Sequence, residues 1–240
     1  MPPVGRNAPT VDLGRNPISF FLRLSRAILL AGLASVPAAA QVVLAPPDSP
    51  AGYVARLLIN ETPFPGERGW ESEADSKAAM RQVLLVLDAR LRHIPPGYTQ
   101  REIATVQTDD IIDLMTAGGE HGQVDGFYRD RNGRPATVPR VQSRIDYLLG
   151  IAGKGQPGTF ARLLQHAQAL TTAYFAKSFS EPDRFAGLRI VAGAPVTGRA
   201  YSWMTDTGEF HPGGRFVRIP DEHDGGMGGN RFFTLARKKP

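Results

Sequence analysis

The chain has 240 residues, of which 42% are hydrophobic and 21% charged, which suffices for one domain with a hydrophobic core and argues against a disordered polymer. The formal net charge is +5, and four arginines and one aspartate account for +3 of it in residues 1–40. The remaining +2 is spread over residues 41–240, which does not indicate a nucleic-acid-binding face. The absence of cysteine excludes disulfides and thiol nucleophiles.

The N-terminal segment has the pattern of a secretory signal. Arg23 and Arg26 precede the apolar run 27–36, and small residues follow up to Ala40. We therefore predict a signal peptide over residues 1–40 and a mature protein that is periplasmic or secreted. The apolar run is shorter than the roughly 20 residues of a membrane span, so no stable span is expected after cleavage. An uncleaved anchor is the alternative.

Proline and capping residues divide the mature chain into helices. Residues 41–50 hold three prolines and are predicted to be a stiff leader. Ser49 and Pro50 supply the N-cap and first position of a helix that ends near Glu61. Further helices are predicted to begin at Asp75, at Thr99, at Thr108–Asp109, at Pro139 and at Thr159, the second with a capping box to Glu102.

Beyond the first four predicted helices, two regions have a different composition. Gly118–Pro139 is predicted to be a long polar loop. After Pro182, short β-type runs occur at Ala200–Met204, Arg215–Ile219 and Arg231–Leu235. The pattern predicts one α+β domain over residues 51–240, with a mainly helical body and a small C-terminal antiparallel β-element.

Glu61 is the first candidate for catalysis. It ends a mostly apolar helix, where the negative end of the helix dipole and apolar neighbours favour the protonated carboxyl group. A glutamic acid that is protonated near neutral pH can donate a proton to the leaving oxygen of a glycosidic bond. A solvated glutamate at a helix end is the alternative interpretation.

Five short segments near the two ends of the mature chain form an ordered set. They are Ala55–Glu61 (ARLLINE), Val83–Leu91 (VLLVLDARL), Gly198–Trp203 (GRAYSW), Phe216–Ile219 (FVRI) and Gly229–Phe233 (GNRFF). In order and spacing they resemble the SleB-type cell wall hydrolases, which are similar to lysozyme-like transglycosylases. The likeness does not extend to residues 95–189, and Asp88–Ala89 stand where that family has Asn.

The resemblance implies a lysozyme-like fold, peptidoglycan glycan strands as substrate, no cofactor, and Glu61 as the catalytic glutamate. The expected bond lies between N-acetylmuramic acid and N-acetylglucosamine. Hydrolysis with two carboxylates needs a second acid, but no spacing singles one out among Asp109, Asp110, Asp113, Asp125 and Asp130. Because lysozyme-like transglycosylases use one glutamate as acid and then base, we favour that mechanism.

Residues close to these segments are candidates for contact with sugars. Gln123, Asn230 and Arg231 can hydrogen-bond N-acetyl groups or peptide stems. The flat faces of aromatic side chains can stack on pyranose rings, and packing in the core is the alternative; the aromatic candidates are Phe127, Tyr128, Tyr201 and Trp203. The five histidines lack metal-ligand spacing, so no metal site is expected.

The alternative function is a non-catalytic envelope protein that binds glycan or a protein partner on the same scaffold. An enzyme should have Glu61 on the floor of an open groove, with Gly118–Pro139 covering one side of it. A binding module should have Glu61 covered or paired with an arginine. In either case we expect a monomer.

Overall fold

The computed structural model describes residues 42–154, 158–206 and 211–238, and within these ranges six α-helices and seven β-strands occur. The helices are α1 (Pro50–Glu61), α2 (Glu73–Arg92), α3 (Gln100–Ala104), α4 (Ile111–Thr116), α5 (Pro139–Ala152) and α6 (Thr159–Phe175). The strands are β1 (Phe127–Arg129), β2 (Pro135–Thr137), β3 (Ile190–Val191), β4 (Ala194–Thr205), β5 (Phe216–Arg218), β6 (Gly226–Met227) and β7 (Asn230–Ala236). The predicted α+β class is confirmed. The predicted signal peptide lies outside the described residues.

Helix α2 is the central element of the core. Its apolar run from Val83 to Leu87 is buried, and the helix contacts α1, α4, α6 and β4. Burial on most sides follows from this run, because consecutive apolar residues point around the whole helix circumference. The described residues belong to one compact unit. No helix within the described ranges is long and apolar enough to cross a membrane.

Local capping sets the helix starts. The Ser49 hydroxyl accepts a hydrogen bond from the Gly52 N–H at 3.1 Å, and α1 ends at Glu61, as predicted. Thr99 and Glu102 form the predicted capping box of α3. Helix α2 starts at Glu73, two residues before the predicted Asp75, because the Ser72 side chain caps it.

The larger sheet is antiparallel and has the strand order β3-β4-β7-β5, with β6 also paired to β7. Strand β4 begins at Ala194, before the predicted Ala200, and pairs with β7 from Val196 opposite Ala236 to Thr205 opposite Asn230. Irregular register on either side of Ala200 interrupts this pairing. The bulged region hides the start of β4 from a simple alternation pattern.

The segment predicted to be a leader is part of the fold. Val42 and Leu44 are buried in the core. The Ala45 N–H donates to Gln168 Oε1 at 2.7 Å, and the Ala45 carbonyl accepts from Arg56 Nη1 at 2.9 Å. Residues 42–50 therefore extend the domain beyond the predicted start at residue 51.

The segment predicted to be a polar loop contains a hairpin. Strands β1 and β2 pair antiparallel, with Phe127 opposite Thr137. The Tyr53 hydroxyl of α1 donates to the carbonyls of Tyr128 and Ala136 at 3.1 and 2.8 Å, and the Phe127 ring packs edge-on against Tyr53. Three-residue strands are too short to produce a recognisable alternation, so the sequence pattern missed them.

Gly52→Ala is expected to lower the free energy of unfolding by about 2 kcal/mol, the scale of an overpacked core. A Cβ at Gly52 would lie 2.1 Å from the Pro46 carbonyl oxygen, so the segment before α1 would have to move. Gly150→Ala is the control: it lies exposed in α5 with open space around it and should raise stability by about 0.5–1 kcal/mol. Urea denaturation of both variants provides the measurement, and equal effects would contradict the close packing at Gly52.

Candidate active site

A cleft of about 660 Å³ lies at the C-terminal end of α1. It is lined by Asn60 and Glu61 of α1, by Arg90 of α2, by residues 122–125 and by residues 202–205 of β4. Its volume is in the range of small-molecule binding sites. The segment 118–139 thus contributes one side of the cleft, as expected from the sequence.

The backbone at the end of α1 is held from two directions. Asn230 Nδ2 of β7 donates to the Glu61 carbonyl at 2.6 Å. Arg144 of α5 donates to the carbonyls of Ile59 and Thr62 at 2.6 and 3.0 Å. The last carbonyls of a helix have no partners within the helix, so these side chains satisfy them and fix the place where Glu61 leaves α1.

The Glu61 carboxyl group is bonded to neutral donors. Trp203 Nε1 of β4 donates to Oε2 at 2.9 Å, and Asn60 Nδ2 donates to Oε1 at 3.3 Å. Among the described residues no cation forms an ion pair with Glu61, and Arg144 pairs with Glu67 instead. The carboxyl group lines the cleft and is only partly exposed.

Burial raises the pKa of Glu61 above that of a free glutamic acid, since removing a carboxylate from water disfavours its charged form. The hydrogen bonds from Trp203 and Asn60 and the positive charge of Arg144 act in the opposite direction, and the negative charge of Asp125 adds to the rise. The outcome is a carboxyl group that keeps its proton at pH values where an exposed glutamate has lost it.

The sequence left five aspartates as candidates for a second carboxylate. Of these, Asp125 lies in the cleft lining. It is exposed and interacts with His121 Nδ1 at 3.0 Å and with the Arg140 guanidinium. The hydrogen bond with His121, followed by that with Arg140, lowers the pKa of Asp125. Environments that push the pKa values of two carboxyl groups apart give one an acidic role and leave the other ionised.

Arg90 is a buried cation of the cleft. Its Nε donates to the Tyr201 carbonyl at 2.6 Å, its Nη1 donates to Gln123 Oε1 at 2.8 Å, and its guanidinium lies over the Trp203 ring. Burial lowers the pKa of Arg90 to about 10, which still leaves it charged at neutral pH.

The structure brings three of the six predicted site residues together in the cleft: Glu61, Gln123 and Trp203. Tyr201 is 2% exposed and donates its hydroxyl to the His93 carbonyl at 2.6 Å, so it is a core residue. Asn230 is buried, and its amide holds the Glu61 backbone. Tyr128 is half-buried in β1, outside the residues that line the cleft.

Two further candidates also take structural positions. Phe127 is fully buried against Tyr53. Arg231 is buried between Asp206 and Asp221. Both side chains are enclosed by the protein, because β7 is buried along Asn230–Leu235 and Phe127 packs into the core.

Sequence reasoning missed Asn60, Arg140 and Arg144, and it did not assign Arg90 to the site. Only Arg90 carries a sequence signal, since it is a charged residue close to the buried apolar run of α2. The others are polar residues whose contacts depend on chain segments far away. In the part of the chain that the structure describes, no group of three or more acidic or histidine side chains is placed to hold a metal ion.

Comparisons with protein-family models, with curated proteins and with solved structures found no match to this chain.

Asp125→Asn is expected to lower the pKa of Glu61, because it removes a negative charge that raises it and leaves Arg140 without that carboxylate. Titration of the Glu61 carboxyl carbon by ¹³C NMR measures the shift. Asp113→Asn removes a carboxylate that pairs with Arg129 outside the cleft lining and should leave Glu61 unchanged. An identical Glu61 titration in all three proteins would show that Asp125 does not act on it.

Glu61→Gln is expected to stabilise the protein increasingly as pH rises. With a folded-state pKa above the unfolded value of about 4.3, wild type has its full stability below pH 4.3 and loses stability as pH rises through the folded pKa. The neutral amide avoids this loss. Urea denaturation across the pH range tests the sign; a difference that stays constant with pH would contradict the raised pKa.

Proposed function

We propose that this chain is an exported, lysozyme-like enzyme that cleaves peptidoglycan glycan strands, as a glycosidase or a lytic transglycosylase, with Glu61 as general acid and then base. The observation that carries the proposal is the state of Glu61. Its carboxyl group lines the cleft, has a pKa that burial raises, and is held by neutral donors. A charged partner would remove the proton that bond cleavage needs, and no such ion pair occurs among the described residues.

The two carboxyl oxygens have different roles in this mechanism. Oε2 accepts the shorter hydrogen bond, 2.9 Å from Trp203, and must present a lone pair to it. The acidic proton therefore resides on Oε1, whose contact with Asn60 is longer at 3.3 Å. Trp203 fixes the direction in which Oε1 points, and Oε1 is the atom that donates to the glycosidic oxygen.

The reaction begins with proton transfer from Oε1 to the glycosidic oxygen as its bond to C1 breaks. The Glu61 carboxylate then accepts a proton from the group that attacks C1. If that group is water, the product is a reducing sugar; if it is the C6 hydroxyl of the same sugar, an anhydro ring closes. Both routes restore the protonated acid without a cofactor.

Asp125 determines which route is available. An ionised carboxylate in the same cleft can stabilise the positive charge that develops at C1 or orient a water molecule. Its ion pair with Arg140 and its exposure weaken both effects, which favours the route through the C6 hydroxyl. The mass of the released fragments separates the two, because the anhydro product lacks one water.

Three independent features agree with a peptidoglycan substrate. The sequence segments that resemble the SleB-type hydrolases supply Glu61 and Trp203, which the fold brings into contact. The cleft has the volume for sugar units and an indole in its wall. The signal-peptide pattern in residues 1–40 directs the protein to the compartment that contains the cell wall.

Purified wild type is expected to release sugar fragments from sacculi, and Glu61→Gln is expected to reduce the rate by about a hundredfold to ten-thousandfold, the usual contribution of a general acid. Glu71→Gln, an exposed change outside the cleft lining, is the control and should retain activity. The wild-type rate should fall as pH rises through the raised pKa of Glu61. Equal release by wild type and Glu61→Gln would contradict the proposal; binding of sacculi without release would support the non-catalytic envelope protein.

A further inference from the structure

Among the described residues that line the cleft, Arg90 is a cation that no carboxylate pairs with. Of the charged residues described in the cleft lining, Glu102 pairs with Lys238 at 2.5 Å, and Asp125 pairs with Arg140. Glu61 is hydrogen-bonded to Trp203 and Asn60 and forms no ion pair with Arg90, and burial raises its pKa, which disfavours its charged form. The remaining charge belongs to Arg90, a side chain that is 5% exposed.

Two of the three nitrogen atoms of the Arg90 guanidinium are bonded within the protein. Nε and Nη1 donate to the Tyr201 carbonyl and to Gln123 Oε1, which are both neutral acceptors. Nη2 has no hydrogen-bond partner among the described residues, and it is not one of the polar atoms enclosed without a partner. Because Arg90 lines the cleft, Nη2 is presented to whatever occupies the cleft.

Burial of a charge without a counterion lowers the stability of the folded state, and the same fold pairs another buried arginine, Arg231, with carboxylates. Arg231 is 6% exposed, as buried as Arg90, and lies between Asp206 and Asp221 at 2.9 and 2.5 Å. Burial of an unpaired ion destabilises a protein unless a partner compensates it. At Arg90 no described carboxylate takes this place, which leaves the position open to an anion of a bound molecule.

Trp203 connects this cation to the proposed acid. Its indole N–H bonds to Glu61, and its ring centroid lies 5.5 Å from the Arg90 guanidinium carbon. An anion on Nη2 is therefore carried by a sugar close to the bond that Glu61 would cleave.

We propose that Arg90 and Gln123 form a subsite that binds a carboxylate of the glycan substrate. This inference rests on the proposed function, since it assigns the group that the cleft recognises. The guanidinium supplies charge and a directed N–H donor, which matches a carboxylate better than the neutral N-acetyl and hydroxyl groups of the sugar ring. Peptidoglycan offers two such carboxylates: the lactyl group of muramic acid from which the peptide has been removed, and the acidic groups of an attached peptide stem.

The experiment measures dissociation constants by calorimetry in a Glu61→Gln background, in which turnover is blocked. The probes are a tetrasaccharide of alternating N-acetylglucosamine and N-acetylmuramic acid with free lactyl carboxylates, the same glycan with peptide stems, the same glycan with lactyl methylamides, and chitotetraose. The first two carry carboxylates and the last two are uncharged. Tighter binding of the free lactyl glycan than of the peptide-bearing glycan assigns the lactyl group, and the reverse order assigns the stem.

Gln123→Glu is the decisive variant, because it places a carboxylate against Nη1 and neutralises Arg90 from within with almost no change in shape. Affinity for the preferred carboxylate probe should fall by about tenfold to a hundredfold, the worth of a hydrogen bond to a charged group, while the uncharged probes bind as before. Arg90→Lys, which keeps the charge and loses the planar fork, should change affinity in the same direction. Gln165→Glu, exposed on α6, makes the same change in net charge outside the cleft lining and serves as the control.

Equal affinity for carboxylate and methylamide probes, a preference that Gln123→Glu does not reduce, or no binding of any probe would overturn the subsite. The failure of the enzymatic proposal is separable from this result. Wild type that releases nothing from sacculi, combined with a carboxylate preference that depends on Arg90 and Gln123, would remove the catalytic role and leave the subsite in place.

Discussion

The hydrogen bond between Trp203 and Glu61 is the interaction on which the candidate site depends. It joins the last residue of α1 to β4, two segments separated by 142 positions, and it closes the base of the cleft between helices and sheet. A second bond, from Asn230 to the Glu61 carbonyl, connects the same residue to β7. With both the backbone and the carboxyl group held, Glu61 keeps one orientation, which is a condition for proton transfer along a defined direction.

The charges of the cleft follow a consistent logic. Burial raises the pKa of Glu61, which disfavours the charged form that could neutralise a cation. Asp125, in contrast, is exposed and directed to Arg140. Exclusion of water favours the uncharged form of an acid but makes an unpaired cation costly. Arg90 is tied to two neutral hydrogen-bond acceptors, and the Trp203 indole contacts both Glu61 and Arg90.

Local sequence signals predicted most of the helical elements because caps and proline act within a few residues. Ser49 and Pro50 start α1, Thr99 and Glu102 cap α3, and Pro139 starts α5. The same signals were misleading where segments pack at a distance. The supposed leader contributes Val42 and Leu44 to the core, and the supposed loop 118–139 contains a hairpin that Tyr53 holds by hydrogen bonds. Predictions of sugar-binding aromatics were the weakest, because an aromatic residue on a strand faces the core or the cleft according to register alone, and Tyr201 faces the core.

By itself, the sequence determined the α+β class, the starts of α1, α3 and α5 at their capping residues and prolines, and the position of Glu61 at the end of an apolar helix. These properties arise from neighbours within one or two turns of chain. Only the tertiary structure decided which donors reach the Glu61 carboxyl group, that Asp125 lies in the cleft lining, and that Arg90 is bonded to the neutral acceptors Tyr201 and Gln123. Such contacts join residues that lie tens to more than a hundred positions apart, and their geometry is set by the packing of α2 against β4 and by the register of β4 with β7.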